Sequence, residues 1–145
     1  MPHSRGQVRL HSANPEDHAA IIPDYFSDPR DLDILAKGAA RVRDMIHGSV
    51  LGSHVDQDIS SPLPRDTIDE IKADIVANAA NHYHACGTCR MGGDSASVVD
   101  PQLRVRGIEK LRVADTSIMP RMINANTCAT AFVIGEKAAD LIRAA

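Results

Sequence analysis

The chain has 145 residues, of which 43% are hydrophobic and 24% are charged, and its formal net charge is −3. This composition excludes a disordered or membrane-embedded class, and without a basic stripe we expect no nucleic-acid partner. Three cysteines are too few for a secreted disulfide scaffold, and no hydrophobic signal segment opens the sequence. We therefore expect a cytoplasmic protein, or a membrane-associated or periplasmic one if the chain is part of a longer polypeptide.

The first predicted elements are a short strand and an amphipathic helix. Polar and apolar residues alternate over 7–11, which indicates a half-buried strand, and the Ser-, Asn-, Pro- and Asp-rich segment 12–29 predicts a loop. Asp28 followed by Pro29 is a helix-start signal, and helical spacing of apolar residues predicts a helix over 29–47. Gly48 is a plausible stop. The predicted buried face comprises Leu32, Leu35, Ala39, Val42 and Ile46.

A second loop and a second helix follow. Residues 49–65 predict the loop, and Asp66 is the predicted helix cap, with Asp69 in reach of a capping-box role. The apolar positions predicted to be buried in this helix are Ile68, Ile71, Ile75 and Ala79.

The C-terminal part combines short strand-like pieces with a last helix. The pieces are 103–105 and 111–114, with Gly107 in the turn between them. The helix is predicted from about 126 to 143, and Gly135 inside it suggests close approach of another backbone or a ligand. Its apolar face comprises Ala131, Ile134, Ala138, Leu141 and Ile142. This mixture predicts an α+β fold whose short strands need others to complete a sheet.

The Cys86-x-x-Cys89 spacing is compatible with zinc, an iron–sulfur cluster or redox cycling. A structural zinc site needs a second ligand pair, but only His82 and His84 are nearby and Cys128 is distant in sequence. We therefore expect spectator thiols and no metal, and the alternative is a small metal-binding domain that uses Cys86, Cys89 and a nearby histidine.

Two other features are candidates for chemistry. His84 lies in a glycine-containing loop, where an imidazole can serve as general base, although a lone histidine is more often structural. The run 124–127 opens the last helix. Its Asn and Thr side chains can cap the helix, and the helix end can face a developing negative charge; both can hold together.

Several segments with distinctive residues occur in a fixed order: 84–92, 98–107, 111–120, 126–127 and 134–142. Together they strongly resemble the C-terminal region of the glucose–methanol–choline (GMC) oxidoreductases, in particular choline-dehydrogenase-like and alcohol-dehydrogenase members. The resemblance covers nearly the whole chain, because the segment 4–10 also resembles the strand that begins this region in the family.

The resemblance implies an FAD-dependent enzyme that oxidises the CH–OH group of a small alcohol by hydride transfer to flavin N5. Oxygen, a quinone or a cytochrome would be the electron acceptor. By the same resemblance His84 is the catalytic base, and Asn126 helps to orient the substrate hydroxyl. The implied cofactor contacts are Asp115, Thr116, Asn126, Thr127 and Cys128.

The chain also departs from the family pattern. Many members have Pro where this chain has Ala85, Gly where it has Ala125, and Asn where it has Cys128. The Gly-x-Gly-x-x-Gly fingerprint of the N-terminal Rossmann unit does not occur. The resemblance thus implies an incomplete C-terminal segment, with 1–82 in the substrate-binding layer and 83–145 in the FAD-binding domain. The alternatives are a non-catalytic fragment or a subunit that needs a separate FAD-binding partner chain, and a lyase of the same architecture.

Overall fold

The computed structural model describes residues 1–56 and 66–144. Within them the fold is α+β, as predicted, and the strands β1 and β2 form a two-stranded sheet. In chain order the elements are β1 (Gln7–Arg9), β2 (Ala20–Ile22), α1 (Pro29–His47), a 3₁₀ turn (Val50–His54), α2 (Ile68–Asn78), a second 3₁₀ turn (Thr116–Ile118) and α3 (Cys128–Arg143).

The predicted bounds of α1 are confirmed. The carboxylate of Asp28 accepts a hydrogen bond from the amide of Arg30 at 3.0 Å, so Asp28 caps the helix as expected. At the other end the amide of Gly48 donates to the carbonyl of Asp44 at 2.8 Å. The loop predicted over 12–29 is wrong in part because it contains β2, a strand too short to show an alternating pattern.

The predicted buried face of α1 is largely exposed among the described residues. Leu35 and Val42 are 47% and 58% exposed, whereas Ala36, outside the predicted stripe, is fully buried. Periodicity identifies an apolar stripe, but burial depends on which neighbour covers it. Here the neighbour is α2, which places Ile71 in the interior and is tied to α1 by an ion pair of 2.6 Å between Lys72 and Asp33.

The helix α2 is capped by residues other than those predicted. The amide of Glu70 donates to the Thr67 hydroxyl at 3.2 Å, and the Thr67 amide donates to the Glu70 carboxylate at 2.8 Å. This reciprocal capping box replaces the predicted roles of Asp66 and Asp69, because Thr-x-x-Glu satisfies both orphan amides at once. The hydrogen bonds from Thr67 also lower the pKa of Glu70. The part of the loop prediction that covers 57–65 lies outside the described residues.

The chain divides into two compact units. One contains Met1, 7–20 and 82–145, and the other contains 2–6 and 21–81. None of the helices in the described parts is both long and apolar enough to cross a bilayer.

The first unit has a small core centred on Val99, which is fully buried. The other buried members are Leu103, Ile118, Met119, Ile134 and Ala138. The predicted strand-like pieces 103–105 and 111–114 do approach each other, but they form isolated bridges rather than strands, as between Arg104 and Arg112. Leu103 has a φ of 66°, and such a backbone conformation does not continue a regular strand.

Candidate functional site

The loop 83–92, called the His84 loop below, is fixed to the 3₁₀ turn Thr116–Ile118 by main-chain hydrogen bonds. The amides of Gly87, Cys89 and Met91 donate to the three successive carbonyl oxygens of Thr116–Ile118, at 3.4, 3.0 and 2.8 Å. Ile118 of this 3₁₀ turn belongs to the hydrophobic core. The His84 loop is therefore attached to a well-packed part of its unit.

The backbone of the His84 loop takes unusual conformations on both sides of the motif. Tyr83, directly before His84, has a φ of 62°, and Gly87 has a φ of 88°. A positive φ is easy for glycine but costs about 1 kcal/mol or more for a residue with a side chain. The imidazole of His84 is therefore carried by a segment that lies between two residues with positive φ.

His84 contacts a residue 43 positions further along the chain. Its Nδ1 lies 3.0 Å from the hydroxyl oxygen of Thr127, and Thr127 is only 6% exposed. His84 itself is half-buried. The contact brings together two of the segments singled out in the sequence, the His84 loop and the start of α3.

Thr127 occupies the N-cap position of α3, but its side chain makes no capping hydrogen bond. The interpretation of the run 124–127 as a side-chain cap is therefore wrong for Thr127. The two residues beside it, Asn126 and Cys128, are exposed. The contact that joins the loop to the helix thus uses Thr127, while Asn126 and Cys128 present their side chains next to it.

Asp115 and Thr116, both predicted cofactor contacts, have internal roles in the structure. The amide of Ser117 donates to Asp115 at 2.7 Å, so Asp115 caps the 3₁₀ turn, and its bonding to Ser117 lowers the pKa of Asp115. The Thr116 hydroxyl donates to the carbonyl oxygen of Ala85 at 3.2 Å. Both side chains therefore stabilise the 3₁₀ turn Thr116–Ile118 or its attachment to the His84 loop. Their contact with a cofactor stays a prediction.

The three cysteines form no disulfide bonds. Cys86 packs against the core of its unit, Cys89 is half-buried and Cys128 is exposed. In the ranges that the structure describes, no group of three or more His, Cys, Asp or Glu side chains is arranged to hold a metal ion.

Gly135 does not meet the close neighbour that its position in α3 suggested. A methyl group built on it would find no described atom within 4 Å outside its chain neighbours and the adjoining backbone of α3. The close approach expected there is therefore not made by any part of the chain that the structure describes.

Sequence reasoning missed the pairing of His84 with Thr127 and the docking of the loop on Thr116–Ile118. The Asp115-x-Ser117 spacing, which is typical of a local side-chain turn, was the available signal for the 3₁₀ turn. Nothing in the local sequence indicates a contact across 43 residues.

The family profile described as GMC oxidoreductase matches residues 2–135. The chain belongs to the GMC oxidoreductase family. The match confirms the resemblance drawn from the ordered motifs, and it places the chain in the C-terminal region of these enzymes.

Two relatives show how much of a GMC oxidoreductase this chain represents. An alcohol dehydrogenase [acceptor] of Pseudomonas putida is 44% identical over 142 residues, which are 98% of this chain and 26% of that protein. An oxygen-dependent choline dehydrogenase of Escherichia coli K12 is 40% identical over 140 residues, 97% of this chain and 25% of that protein. The chain thus spans about a quarter of the length of these relatives.

Solved structures give the same proportion. A formate oxidase of Aspergillus oryzae RIB40, studied for the effect of a mutation on FAD modification, superposes with a TM-score of 0.88 at 30% identity. It is matched over 96% of this chain and 24% of its own. A pyridoxine 4-oxidase from Mesorbium loti superposes with a TM-score of 0.87 at 30% identity, over 99% of this chain and 28% of its own.

Proposed function

We propose that this chain is the C-terminal segment of an FAD-dependent oxidoreductase that acts on the CH–OH group of a small alcohol. His84 is the proton acceptor in this proposal. The supporting observation is the contact of 3.0 Å between His84 Nδ1 and the Thr127 hydroxyl, made within a chain of the GMC family. With Nδ1 engaged, Nε2 is the ring nitrogen left to receive a substrate proton.

The residue types suit this reaction. Oxidation of an alcohol removes a proton from oxygen and a hydride from carbon, and an imidazole accepts protons well near neutral pH. FAD, when bound, supplies the acceptor for the hydride. Asn126 is next to Thr127 and exposed, so its amide can donate a hydrogen bond to the substrate oxygen while His84 removes the proton.

The start of α3 fits a cofactor that gains negative charge. The first amides of a helix have no intrahelical acceptor, and the Thr127 side chain does not cap those of α3. This end of the helix dipole favours an electron-rich ring. The exposed Asn126 and Cys128 would lie against the cofactor at this end of α3. Asp115 and Thr116, at the start of the 3₁₀ turn that holds the His84 loop, would contact it as well.

The remaining parts of the proposal concern the whole enzyme. Residues 1–82 would belong to the substrate-binding layer and 83–145 to the FAD-binding domain. The reduced cofactor would pass its electrons to oxygen, a quinone or a cytochrome. The names of the relatives, which include alcohol and choline dehydrogenases, support an alcohol as the substrate class.

Replacement of His84 tests the proposed function. In the complete flavin-loaded enzyme that contains this chain, His84→Ala should lower turnover of the alcohol by a factor of about 10²–10⁴, with the FAD content unchanged. His82→Ala is the matched control, because His82 is exposed two residues earlier and has no role in the proposal. Turnover that is equal in the two variants would contradict the assignment.

A second candidate is a chain that has no activity without a separate FAD-binding partner. The exposed apolar face of α1, which includes Leu35 and Val42, favours it, because such a face is normally covered in a working enzyme. We expect the purified chain alone to be colourless and to become yellow only when combined with an FAD-binding N-terminal portion. A stoichiometric flavin complex of the chain alone would refute this alternative.

A further inference from the structure

The hydroxyl of Thr127 is used differently from those of comparable residues in this chain. Thr67 and Asp28 also hold N-cap positions, and both have extended backbones, with φ of −110° and −100°, from which their side chains cap α2 and α1. Thr127 instead has φ −77° and ψ −7°, a helical conformation, and forms no cap. Its side chain is directed to His84.

The burial of Thr127 makes the hydrogen bond between its hydroxyl and His84 important for stability. Thr127 is buried, so an unpaired hydroxyl there would be costly, and the contact with His84 satisfies it. A threonine also loses little side-chain freedom on ordering, because its branched Cβ restricts χ1. The helix thus presents a stiff, neutral hydroxyl to one ring nitrogen of a loop histidine.

We propose that Thr127 is a positioning residue for His84: its hydroxyl oxygen accepts a hydrogen bond from Nδ1–H and so directs the lone pair of Nε2 to the substrate. This role rests on the proposed function, and it differs from the direct cofactor contact that the family resemblance assigns to Thr127. A hydroxyl can accept from Nδ1 both before and after His84 takes up a proton, so the ring keeps its orientation through the reaction. Unlike a carboxylate partner, it adds no charge beside the ring.

Substitutions at Thr127 test the proposal in the complete flavin-loaded enzyme. Thr127→Val removes the hydroxyl at constant shape and should slow reduction of the flavin by the alcohol about five- to tenfold. Thr127→Ser keeps the hydroxyl and should restore most of the rate. Thr130→Val, in the first turn of the same helix, controls for placing valine in α3.

A double-mutant comparison separates positioning from other roles. If Thr127 acts through His84, Thr127→Val should cause no further loss in the His84→Ala enzyme. Histidine-selective ¹⁵N NMR gives a readout apart from activity, with His84→Ala identifying the signal. We expect a protonated Nδ1 and an unprotonated Nε2 in the native enzyme, and a mixture of the two neutral forms in Thr127→Val.

Several outcomes would overturn the positioning role. Three concern the rate of flavin reduction: no change in Thr127→Val, an equally large decrease when Thr127→Val is added to His84→Ala, or no recovery in Thr127→Ser. The other two are loss of FAD from Thr127→Val and a His84 ring that is protonated on Nε2 in the native enzyme. Each leaves the proposed function intact if His84→Ala still shows the large loss of turnover predicted above. Full activity of His84→Ala would instead remove the proposed function, and the positioning role with it.

Discussion

Gly87 lies against the main chain of Met119, so that a methyl group on Gly87 would be 3.3 Å from the Met119 carbonyl oxygen. Gly87 also has a φ of 88°, a conformation that residues with side chains rarely adopt. We expect Gly87→Ala to destabilise the folded state by about 1–2 kcal/mol and to displace the His84 loop. Turnover and the midpoint of thermal unfolding should both fall.

Gly93→Ala is the matched control for that substitution. A methyl group on Gly93 would meet no described atom within 4 Å apart from its two chain neighbours, and the backbone of Gly93 is not in the positive-φ region. It should leave both the unfolding midpoint and turnover close to those of the native protein. If the two variants behaved alike, the special requirement for glycine at position 87 would be disproved.

Asp31 connects the start of α1 to the N-terminal segment. Interactions with Ser4, together with the His3 amide, lower the pKa of Asp31 to about 2 from 3.8. The Ser4 amide donates to Asp31 at 2.7 Å and the His3 amide at 2.8 Å. Because the pKa is lowered on folding, this stabilisation is complete above pH 3.8 and is lost as the pH falls through about 2.

Hydrogen exchange of the segment 2–6 measures this link. At pH 7, Asp31→Asn should speed exchange of the Ser4 amide, since a neutral amide is a weaker acceptor than a carboxylate. In the native protein the protection, corrected for intrinsic exchange rates, should decline between about pH 4 and pH 2. Asp44→Asn, which removes a carboxylate from the same helix, should leave the Ser4 amide protected.

Lys110 has a φ of 60° on an exposed part of the chain. Lys110→Gly should relieve this strain and stabilise the protein by about 1 kcal/mol, which raises the unfolding midpoint. The same substitution at Lys137, exposed within α3, should destabilise by about 1 kcal/mol, because glycine is a poor helix former. Calorimetry that gave the same sign for both variants would contradict the assigned backbone conformations.

Local signals decided which parts of the fold could be predicted. The bounds of α1 followed from Asp28, Pro29 and Gly48, because caps act within a few residues. The exposed face of α1 could not be anticipated, because Leu35 and Val42 carry the correct spacing but no information about what covers them. The cap of α2 was placed one residue early because Asp66 competes with Thr67, and only the pairing with Glu70 favours the latter.

In the candidate site, too, the sequence identifies the residues but not their contacts with distant parts of the chain. Five ordered motifs identified the family and named His84, and the profile match confirmed the family. The partner of His84 is Thr127, which the family resemblance named only as a cofactor contact, and that contact stays a prediction. Their contact depends on the position of the His84 loop on the turn Thr116–Ile118. Main-chain hydrogen bonds fix that position, and such bonds cannot be recognised from the residue types.

The main-chain attachment of the His84 loop has a consequence for how this segment tolerates change. Amides and carbonyls are present at every non-proline position, so the bonds from residues 87, 89 and 91 to Thr116–Ile118 survive most replacements of the side chains they belong to. Thr88 and Cys89 can therefore be replaced without moving the imidazole of His84. Gly87 cannot, because its positive φ favours glycine. The hydrogen bond from residue 89 to the turn therefore does not depend on a thiol at that position, because it is made by the main-chain amide.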